Sequence, residues 1–261
     1  MTWISDALGQ QFDCSAPPQR VVSLVPSITE TLYDIGVWEN VVGVTRYCVH
    51  PEQATAEKVV VGGTKQVNLN TIQSLEPDLV LCNQEENTPE IIHGLQDLGI
   101  SCHVSFPTDI PSAIASVQDF GKLFHRENWV EHWTQQVEQV LKQTHASFRY
   151  AYFIWRKPWM LVGQDTFINE MLKSIGGINV ASMDSRYPEI TLSSDALTHA
   201  DVLFLSSEPY PFKEEHIQEL VQSGVCKNKI QFIDGEMCSW HGTRLQQGLR
   251  YLQKWHTETI R

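Results

Sequence analysis

The chain has 261 residues, of which 42% are hydrophobic and 10% aromatic, and its formal net charge at pH 7 is −12. This length and composition predict a globular protein with room for one large domain or two smaller ones. The excess of acidic side chains argues against nonspecific binding to nucleic acid or to an anionic membrane surface.

The sequence shows no obvious targeting or membrane-spanning segment. No stretch approaches the roughly 20 apolar residues of a membrane span, so membrane insertion is not expected. The first 20 residues lack a basic start and a long apolar run, and the six cysteines show no CxxC motif or paired spacing. The N-terminal segment therefore does not look like a signal peptide. The cysteine pattern is typical of buried free thiols in a reducing compartment. We therefore expect a cytoplasmic location, with a periplasmic one as the alternative if a leader has been removed.

Strands alternate with helices through the first half of the chain. A lead-in over 1–19 could form a short edge hairpin. Strands are predicted at 21–25, 41–45, 58–61, 79–82 and 100–104, and helices at 28–35, 70–75, 88–98 and 110–124. Ser27, with Glu30 three residues later, has the spacing of a helix capping box. This alternation predicts βαβ units with right-handed crossovers and hence a parallel sheet.

One long helix is predicted over residues 126–147, which contain no Gly and no Pro. Its apolar side chains, among them Trp129, Trp133, Val137 and Val140, recur three or four residues apart. A helix of about 20 residues is about 30 Å long, roughly the width of a small domain. We expect this helix to join two α/β lobes, with a ligand site in the cleft between them.

The second half repeats the design of the first. Strands are predicted at 151–154, 202–205 and 229–233, and helices at 166–175, 193–199, 214–222 and 243–256. The predicted fold class is α/β, with two Rossmann-like lobes whose parallel sheets are joined by a single long backbone helix. The predicted parts are an N-terminal lobe over 1–108, linking helices over 109–147 and a C-terminal lobe over 148–261.

Three segments together carry a resemblance to a known family: RVVSLVPSITETLYDIGVWENVVGVTRY, LNTIQSLEPDLVL and TFINEMLKSIGGINVASMDSRYPEITLSSDALTHADVLFL. They resemble the helical-backbone metal receptors, the class III periplasmic binding proteins of ABC importers for cobalamin and siderophore iron, and most of all the cobalamin-binding members. The resemblance covers residues 20–258. It implies two lobes joined by a rigid helix, with a metal chelate clamped between them.

The resemblance also assigns roles to residues. Tyr47 matches a tyrosine that contacts cobalamin, and Trp159 falls where the family has an aromatic side chain at the cleft. Glu236 to Trp240 occupies the loop that closes on the corrin. Arg244 matches the arginine that begins the final helix, where a structural role is expected.

The sequence departs from the family at several positions. Thr64, Asn83 and Glu189 stand where the cobalamin-binding members have tryptophan. The glutamates with which the family docks on its permease align with Asn70 and Ser194. We therefore expect an ABC permease to be a doubtful partner and a more polar ligand to be an alternative.

Side chains at the predicted carboxyl ends of the strands are the candidate ligand contacts, because ligands of open α/β sheets bind there. Flat aromatic rings suit the face of a macrocycle, arginine suits a carboxylate, and imidazole can reach a metal centre. The candidates are Ser27, Tyr47, His50, Trp155, Trp159, Arg186, Glu236, Trp240 and His241. His241 and His50 are the candidates for an axial contact to a chelated metal.

Each candidate also has a structural reading. Trp155 and Trp159 could pack the end of a strand, and Ser27 could cap a helix. Arg186 could hold its own loop through Asp184 or Glu189.

The sequence lacks the common catalytic motifs: GxSxG, the P-loop and GxGxxG do not occur. We expect a binding protein without an intrinsic cofactor, whose ligand is a corrinoid or a related, haem-like metal chelate. A cytosolic enzyme or an interaction module on the same scaffold is the alternative.

Overall fold

The computed structural model describes residues 2–181, 185–193 and 195–260. This part of the chain forms two compact units. The first unit comprises Met1–Pro107, Pro111–Gln136 and His241–Arg244. The second unit comprises Thr108–Ile110, Val137–Trp240 and Leu245–Arg261. The chain therefore returns to the first unit for four residues near its end. The three parts predicted from the sequence stay a prediction.

The first half of the chain alternates strands and helices as expected, with one short helix, Ala54–Glu57, that the sequence did not predict. Its elements are β1 (Trp3–Ser5), β2 (Gln11–Asp13), β3 (Val21–Ser23), α1 (Pro26–Asp34), β4 (Val41–Val44), α2 (Ala54–Glu57), β5 (Val59–Val60), α3 (Leu69–Ser74), β6 (Leu79–Asn83), α4 (Pro89–Asp97), β7 (Cys102–Ser105), α5 (Ile110–Leu123) and α6 (Glu127–Leu141). The hairpin of β1 and β2 in the lead-in is antiparallel, as the sequence suggested.

The sheet of the first unit is parallel, with the strand order β5-β4-β3-β6-β7. The order of connections reverses between β3 and β6, where Val21 pairs with Leu79 and Ser23 with Leu81. The crevice beyond the carboxyl ends of two such strands is where open α/β sheets bind ligands. The loops after β3 and β6 are therefore the expected place for a ligand site in this unit.

The core of this unit lies on both faces of the sheet. Leu79, Val80 and Leu81 follow one another in β6, so their side chains alternate between the two faces, and each is at most 3% exposed. The N-terminal hairpin protects the edge strand β7, because the Ala7 N–H donates to the Val104 carbonyl at 2.9 Å.

The predicted capping box at the start of α1 is wrong. The N-cap residue is Val25, its side chain makes no capping hydrogen bond, and Pro26 occupies the first helical turn. Proline fits there because its fixed φ suits the helix and no N–H is needed. Ser27 lies inside the helix and is buried, with 4% of its surface exposed.

The long helix is shorter than predicted. Helix α6 has 15 residues, about 22 Å, and ends at Leu141 rather than near Ser147. Gln253 donates to the Val140 carbonyl at 2.7 Å and so satisfies a carbonyl group of the last turn. Trp133 and Val137 are buried as the apolar stripe predicts, whereas Trp129 is 38% exposed. The division between the two units falls within this helix.

The second half of the chain contains short elements that the sequence did not predict. Its elements are β8 (Phe148–Trp155), β9 (Met160–Leu161), α7 (Phe167–Lys173), β10 (Gly177–Asn179), α8 (Asp195–His199), β11 (Val202–Ser206), α9 (Glu214–Gln222), β12 (Ile230–Ile233), α10 (Gly235–Ser239) and α11 (Leu245–Thr259). The elements missed are β9, β10 and α10, each of five residues or fewer. Too few positions are present for a period to show. The final helix was expected from residue 243, but Gly242–Arg244 forms a 3-10 turn before it.

The sheet of the second unit has the order β10-β8-β11-β12, with all four strands parallel, and β9 pairs antiparallel with β8. Phe153, Leu203 and Leu205 are fully buried in its core. The order of connections reverses between β8 and β11, so the corresponding crevice of this unit lies beyond Trp155 and Ser206. Among the helices in the described ranges, none combines the length and the apolar character needed to cross a membrane.

Candidate ligand-binding site

In the first unit, Asn83 organises the crevice between β3 and β6. It ends β6 and is buried, with 2% of its surface exposed. Its Oδ1 accepts the backbone N–H of Glu85 at 2.8 Å, which fixes the orientation of the side-chain amide. The amide nitrogen then lies 3.3 Å from Ser105 Oγ and 3.3 Å from His241 Nε2. Although the family resemblance predicts an aromatic here, this polar side chain reaches another candidate residue.

His241 is held as a neutral imidazole. Because the Asn83 amide nitrogen can only donate, His241 Nε2 is the acceptor of that contact. Burial lowers the pKa of His241 to about 4, because a ring removed from water holds its charge less well. The single proton of the neutral ring is then on Nδ1, so Nε2 can bind a metal only after it gives up the Asn83 amide.

Tyr47 is an exposed aromatic side chain of the first unit. It follows β4, and 55% of its surface is exposed. The next residue, Cys48, is buried, with its thiol 3.1 Å from Thr29 Oγ1 and 3.3 Å from Thr45 Oγ1. A Cβ at Gly63 would lie 3.0 Å from the Tyr47 ring, so glycine leaves room for it. The loop is therefore anchored at Cys48 while the tyrosine ring faces outward.

His50 lies near two carboxylates of α1. Burial raises the pKa values of Glu30 and Asp34, and the charge of His50 acts in the opposite direction on both. Ser27 lies one turn earlier in the same helix, and its carbonyl accepts a hydrogen bond from Thr31 Oγ1 at 2.8 Å. Ser27 is therefore part of α1, and His50 lies close to the same helix.

The four residues that return to the first unit are docked on α1. Arg244 donates from Nε and Nη2 to the two carboxylate oxygens of Glu30, both at 2.7 Å. Thr243 Oγ1 donates to Asp34 Oδ2 at 2.6 Å. Gly242 has a φ of +85°, and a Cβ there would lie 2.3 Å from Thr31 Oγ1. These contacts position the segment that begins with His241, and they support the structural role expected for Arg244.

In the second unit, Trp155 is exposed and Trp159 is packed. Trp155 ends β8 with 41% of its surface exposed, and its ring meets Tyr210 edge-on at 5.6 Å. Trp159 stacks on Phe212, with ring centroids 5.8 Å apart and 12° between the planes. The Arg156 guanidinium lies over the Trp159 ring at 5.3 Å. Trp159 thus contributes to the core, while Trp155 offers an open ring.

Arg186 is held by a partner that the sequence did not suggest. Its Nη1 lies 3.4 Å from Asp165 Oδ2, and its backbone carbonyl accepts the Gly163 N–H at 2.7 Å. Glu189 instead forms an isolated β-bridge with Met160. The other predicted partner, Asp184, lies outside the described residues.

Glu236 lies in α10, whose N-cap is Asp234, and Trp240 is the C-cap of the same helix. Both are partly buried. The Trp240 indole N–H donates to Glu208 Oε1 at 2.8 Å, and Ser239 Oγ donates to the same oxygen at 3.1 Å. Glu208 was not a candidate, although its place just after β11 was a signal that could have identified it.

The described residues contain no group of three or more His, Cys, Asp and Glu side chains that could hold a metal ion. A metal that arrives inside a chelate needs no such group, since its ring supplies most of the ligands. Of the two positions aligned with docking glutamates, Asn70 is exposed on α3. Ser194 lies outside the described residues.

A family model described as periplasmic binding protein matches residues 21–228. The chain is 26% identical over 268 residues to the uncharacterized ABC transporter substrate-binding lipoprotein YvrC of Bacillus subtilis (strain 168), an alignment that covers 95% of this chain and 83% of that protein. It is 27% identical over 197 residues to the vitamin B12-binding protein of Vibrio cholerae serotype O1 (strain ATCC 39541), with 73% and 71% covered.

The fold is similar to that of a solved structure. The periplasmic vitamin B12 binding protein BtuF of Vibrio cholerae superposes with a TM-score of 0.74 at 20% identity, with 93% of this chain and 98% of that chain covered. The predicted α/β class and the predicted family resemblance are confirmed. The prediction of a binding protein rather than an enzyme is also confirmed.

The expected cytoplasmic location is wrong, because the matching family is periplasmic and YvrC is a lipoprotein. These findings indicate a location outside the cytoplasm. Five of the six free cysteines are buried, and a buried thiol is protected in either compartment, so the cysteine pattern could not decide. The doubt about an ABC permease is not supported either, since the name of YvrC associates it with an ABC transporter.

Proposed function

The chain belongs to the periplasmic binding protein family, and from that premise we propose that it binds a corrinoid or a related, haem-like metal chelate for an ABC importer. The observation that carries the proposal is an exposed aromatic ring beyond the carboxyl ends of the strands in each unit. Tyr47 is 55% exposed in the first unit, and Trp155 is 41% exposed in the second. The vitamin B12-binding relative supports the ligand class.

Each ring supplies a stacking surface in its own unit. Large aromatic side chains bury about 150–250 Å² each when covered, and they prefer flat partners in offset or edge-on contact. A corrin or porphyrin ring offers such a face. The loop that presents Tyr47 is anchored at Cys48, so its backbone needs little ordering when a ligand binds.

The remaining candidates supply polar contacts. His241 and His50 are the candidate axial contacts to a chelated metal, and His241 Nε2 would have to exchange the Asn83 amide for that metal. Arg186 is the candidate anchor for a carboxylate on the ligand, since guanidinium binds carboxylates in a forked geometry. Glu236 and Trp240 belong to segment 236–240, which we expect to close on the ligand as the resemblance implies.

Titration of the purified protein with cobalamin, cobinamide and haem, followed by tryptophan quenching and calorimetry, tests the proposal. We expect micromolar or tighter binding of at least one of the three. Tyr47→Ala and Trp155→Ala should each weaken that binding by about tenfold or more, because each removes a large apolar contact.

Two matched controls separate site effects from general ones. Tyr33→Ala and Trp129→Ala remove rings that are 42% and 38% exposed on α1 and α6, away from the strand ends. These variants should bind as the unmodified protein does. Absence of binding to all three chelates would refute the proposed function, and equal losses in test and control variants would refute the site.

A further inference from the structure

A short chain of hydrogen bonds in the second unit determines how Tyr210 can bond. The chain begins at the N-cap of α9, where the backbone N–H of Lys213 donates to His216 Nδ1 at 2.8 Å. The other ring nitrogen, His216 Nε2, lies 3.1 Å from the Tyr210 hydroxyl oxygen. Three groups are thus connected in a row, ending in the loop after β11.

The first bond fixes the tautomer of His216. A backbone N–H can only donate, so His216 Nδ1 must accept and the ring proton resides on Nε2. A doubly protonated ring would set two N–H donors against each other. The ring is buried, with 3% of the residue's surface exposed, and it packs edge-on against Phe212 at 5.3 Å.

The tautomer in turn assigns the direction of the second bond. His216 Nε2–H donates to the Tyr210 oxygen at 3.1 Å, because the Glu215 carboxylate lies 3.8 Å away, beyond hydrogen-bond distance. The hydroxyl oxygen of Tyr210 is therefore an acceptor toward His216. Its own hydrogen must point in another direction, which makes Tyr210 a directed donor.

Tyr210 lies close to the exposed Trp155 ring, in the loop after β11. It follows β11 at the point where the sheet connections reverse, and its ring packs edge-on against the exposed Trp155 with centroids 5.6 Å apart. The Tyr210 ring also packs on Phe212, with ring centroids 4.8 Å apart, and this contact restricts the side chain. A positioned donor beside an open aromatic face is a common arrangement for fixing the orientation of a ligand.

We propose that Tyr210 is a ligand-binding residue whose hydroxyl donates a hydrogen bond to a carboxylate or carboxamide oxygen on the rim of a chelate lying against Trp155. This inference rests on the proposed function and adds to it a requirement on the ligand. The rim must carry a carbonyl oxygen, as the side chains of corrinoids and haems do. A chelate with an all-hydrocarbon rim would leave this donor without a partner, at a cost in affinity.

The test is Tyr210→Phe, which removes the hydroxyl and keeps the ring. Its matched control is Tyr33→Phe on α1, where the ring meets Trp38 rather than a candidate residue. For cobalamin, whose rim carries carboxamides, we expect about a three- to tenfold loss of affinity with Tyr210→Phe and none with the control. The loss should be larger for haem, whose rim carries carboxylates, than for haem dimethyl ester.

A second readout needs no ligand. Nitrogen-15 NMR of the histidine-labelled protein should show His216 as the Nε2–H tautomer, with the signal assigned by its absence in His216→Gln. An Nδ1–H tautomer would overturn the inference. So would unchanged affinity of Tyr210→Phe for a chelate that the unmodified protein binds, and in that case the proposed function would stand. If no chelate binds, the proposed function fails and the inference falls with it.

Discussion

Removal of the Arg244 guanidinium should destabilise the protein strongly and in a pH-dependent way. Arg244→Met keeps most of the side-chain stem but deletes two charge-assisted hydrogen bonds to Glu30, each 2.7 Å long. The side chains of Arg244 and Glu30 are only 6% and 10% exposed, so water cannot replace the lost donors. Breaking a buried pair by removing one partner costs about 3–5 kcal/mol, because a charge is left buried without compensation.

The dependence on pH follows from the Glu30 carboxyl. Burial raises the pKa of Glu30, and the hydrogen bond and charge of Arg244 oppose that rise. Without the arginine the pKa rises further. A carboxyl whose pKa is raised by folding contributes stability that is fully present below its unfolded pKa, about 4.3, and is lost as the pH rises through the folded pKa. Arg244→Met should therefore lose less stability at pH 5 than at pH 8.

The assay is urea denaturation at pH 5 and pH 8, with hydrogen exchange of the α1 amides to locate the effect. Arg149→Met is the control, since its pair with Asp201 is 3.2 Å long and about half exposed. That exposed pair should cost at most about 1 kcal/mol. A loss for Arg244→Met no larger than the control, or equal at the two pH values, would refute this account of the Glu30 pair.

Two further substitutions test packing. His103 is buried between Phe12 and Phe120 with no hydrogen-bond partner for either ring nitrogen, and burial lowers its pKa. The unmodified protein should lose stability as the pH falls below about 6.5 toward that lowered pKa. His103→Phe should remove this loss and raise the free energy of unfolding by about 1 kcal/mol at pH 7. A variant whose stability still falls with decreasing pH as steeply as that of the unmodified protein would contradict the reasoning. Gly248→Ala should destabilise the protein by at least about 1 kcal/mol in thermal unfolding, because the new Cβ would lie 2.2 Å from the Met237 carbonyl oxygen. A rise in Tm would show instead that α10 and α11 can move apart.

Local patterns in the sequence were sufficient for the class of fold. Apolar runs such as 79–82 predicted strands covered on both faces, and β6 is buried along its whole length. The alternation of strands with helices predicted parallel sheets, and both sheets have parallel paths. These features depend on side-chain periodicity over a few residues, which sequence records directly. The exposed ring of Tyr47 also follows a predicted strand, so its candidacy could be read from the chain.

Other features depended on partners far apart along the chain. Arg244 and Glu30 are separated by 214 positions, and their pairing draws residues 241–244 into the first unit. Trp155 and Trp159 looked equivalent in the sequence, but the first is exposed and the second stacks on Phe212. The sequence alone determined most of the helices and strands, because their patterns are local. Only the tertiary structure decided which side chains remain open to a ligand, because burial and ion pairing depend on what distant segments bring alongside.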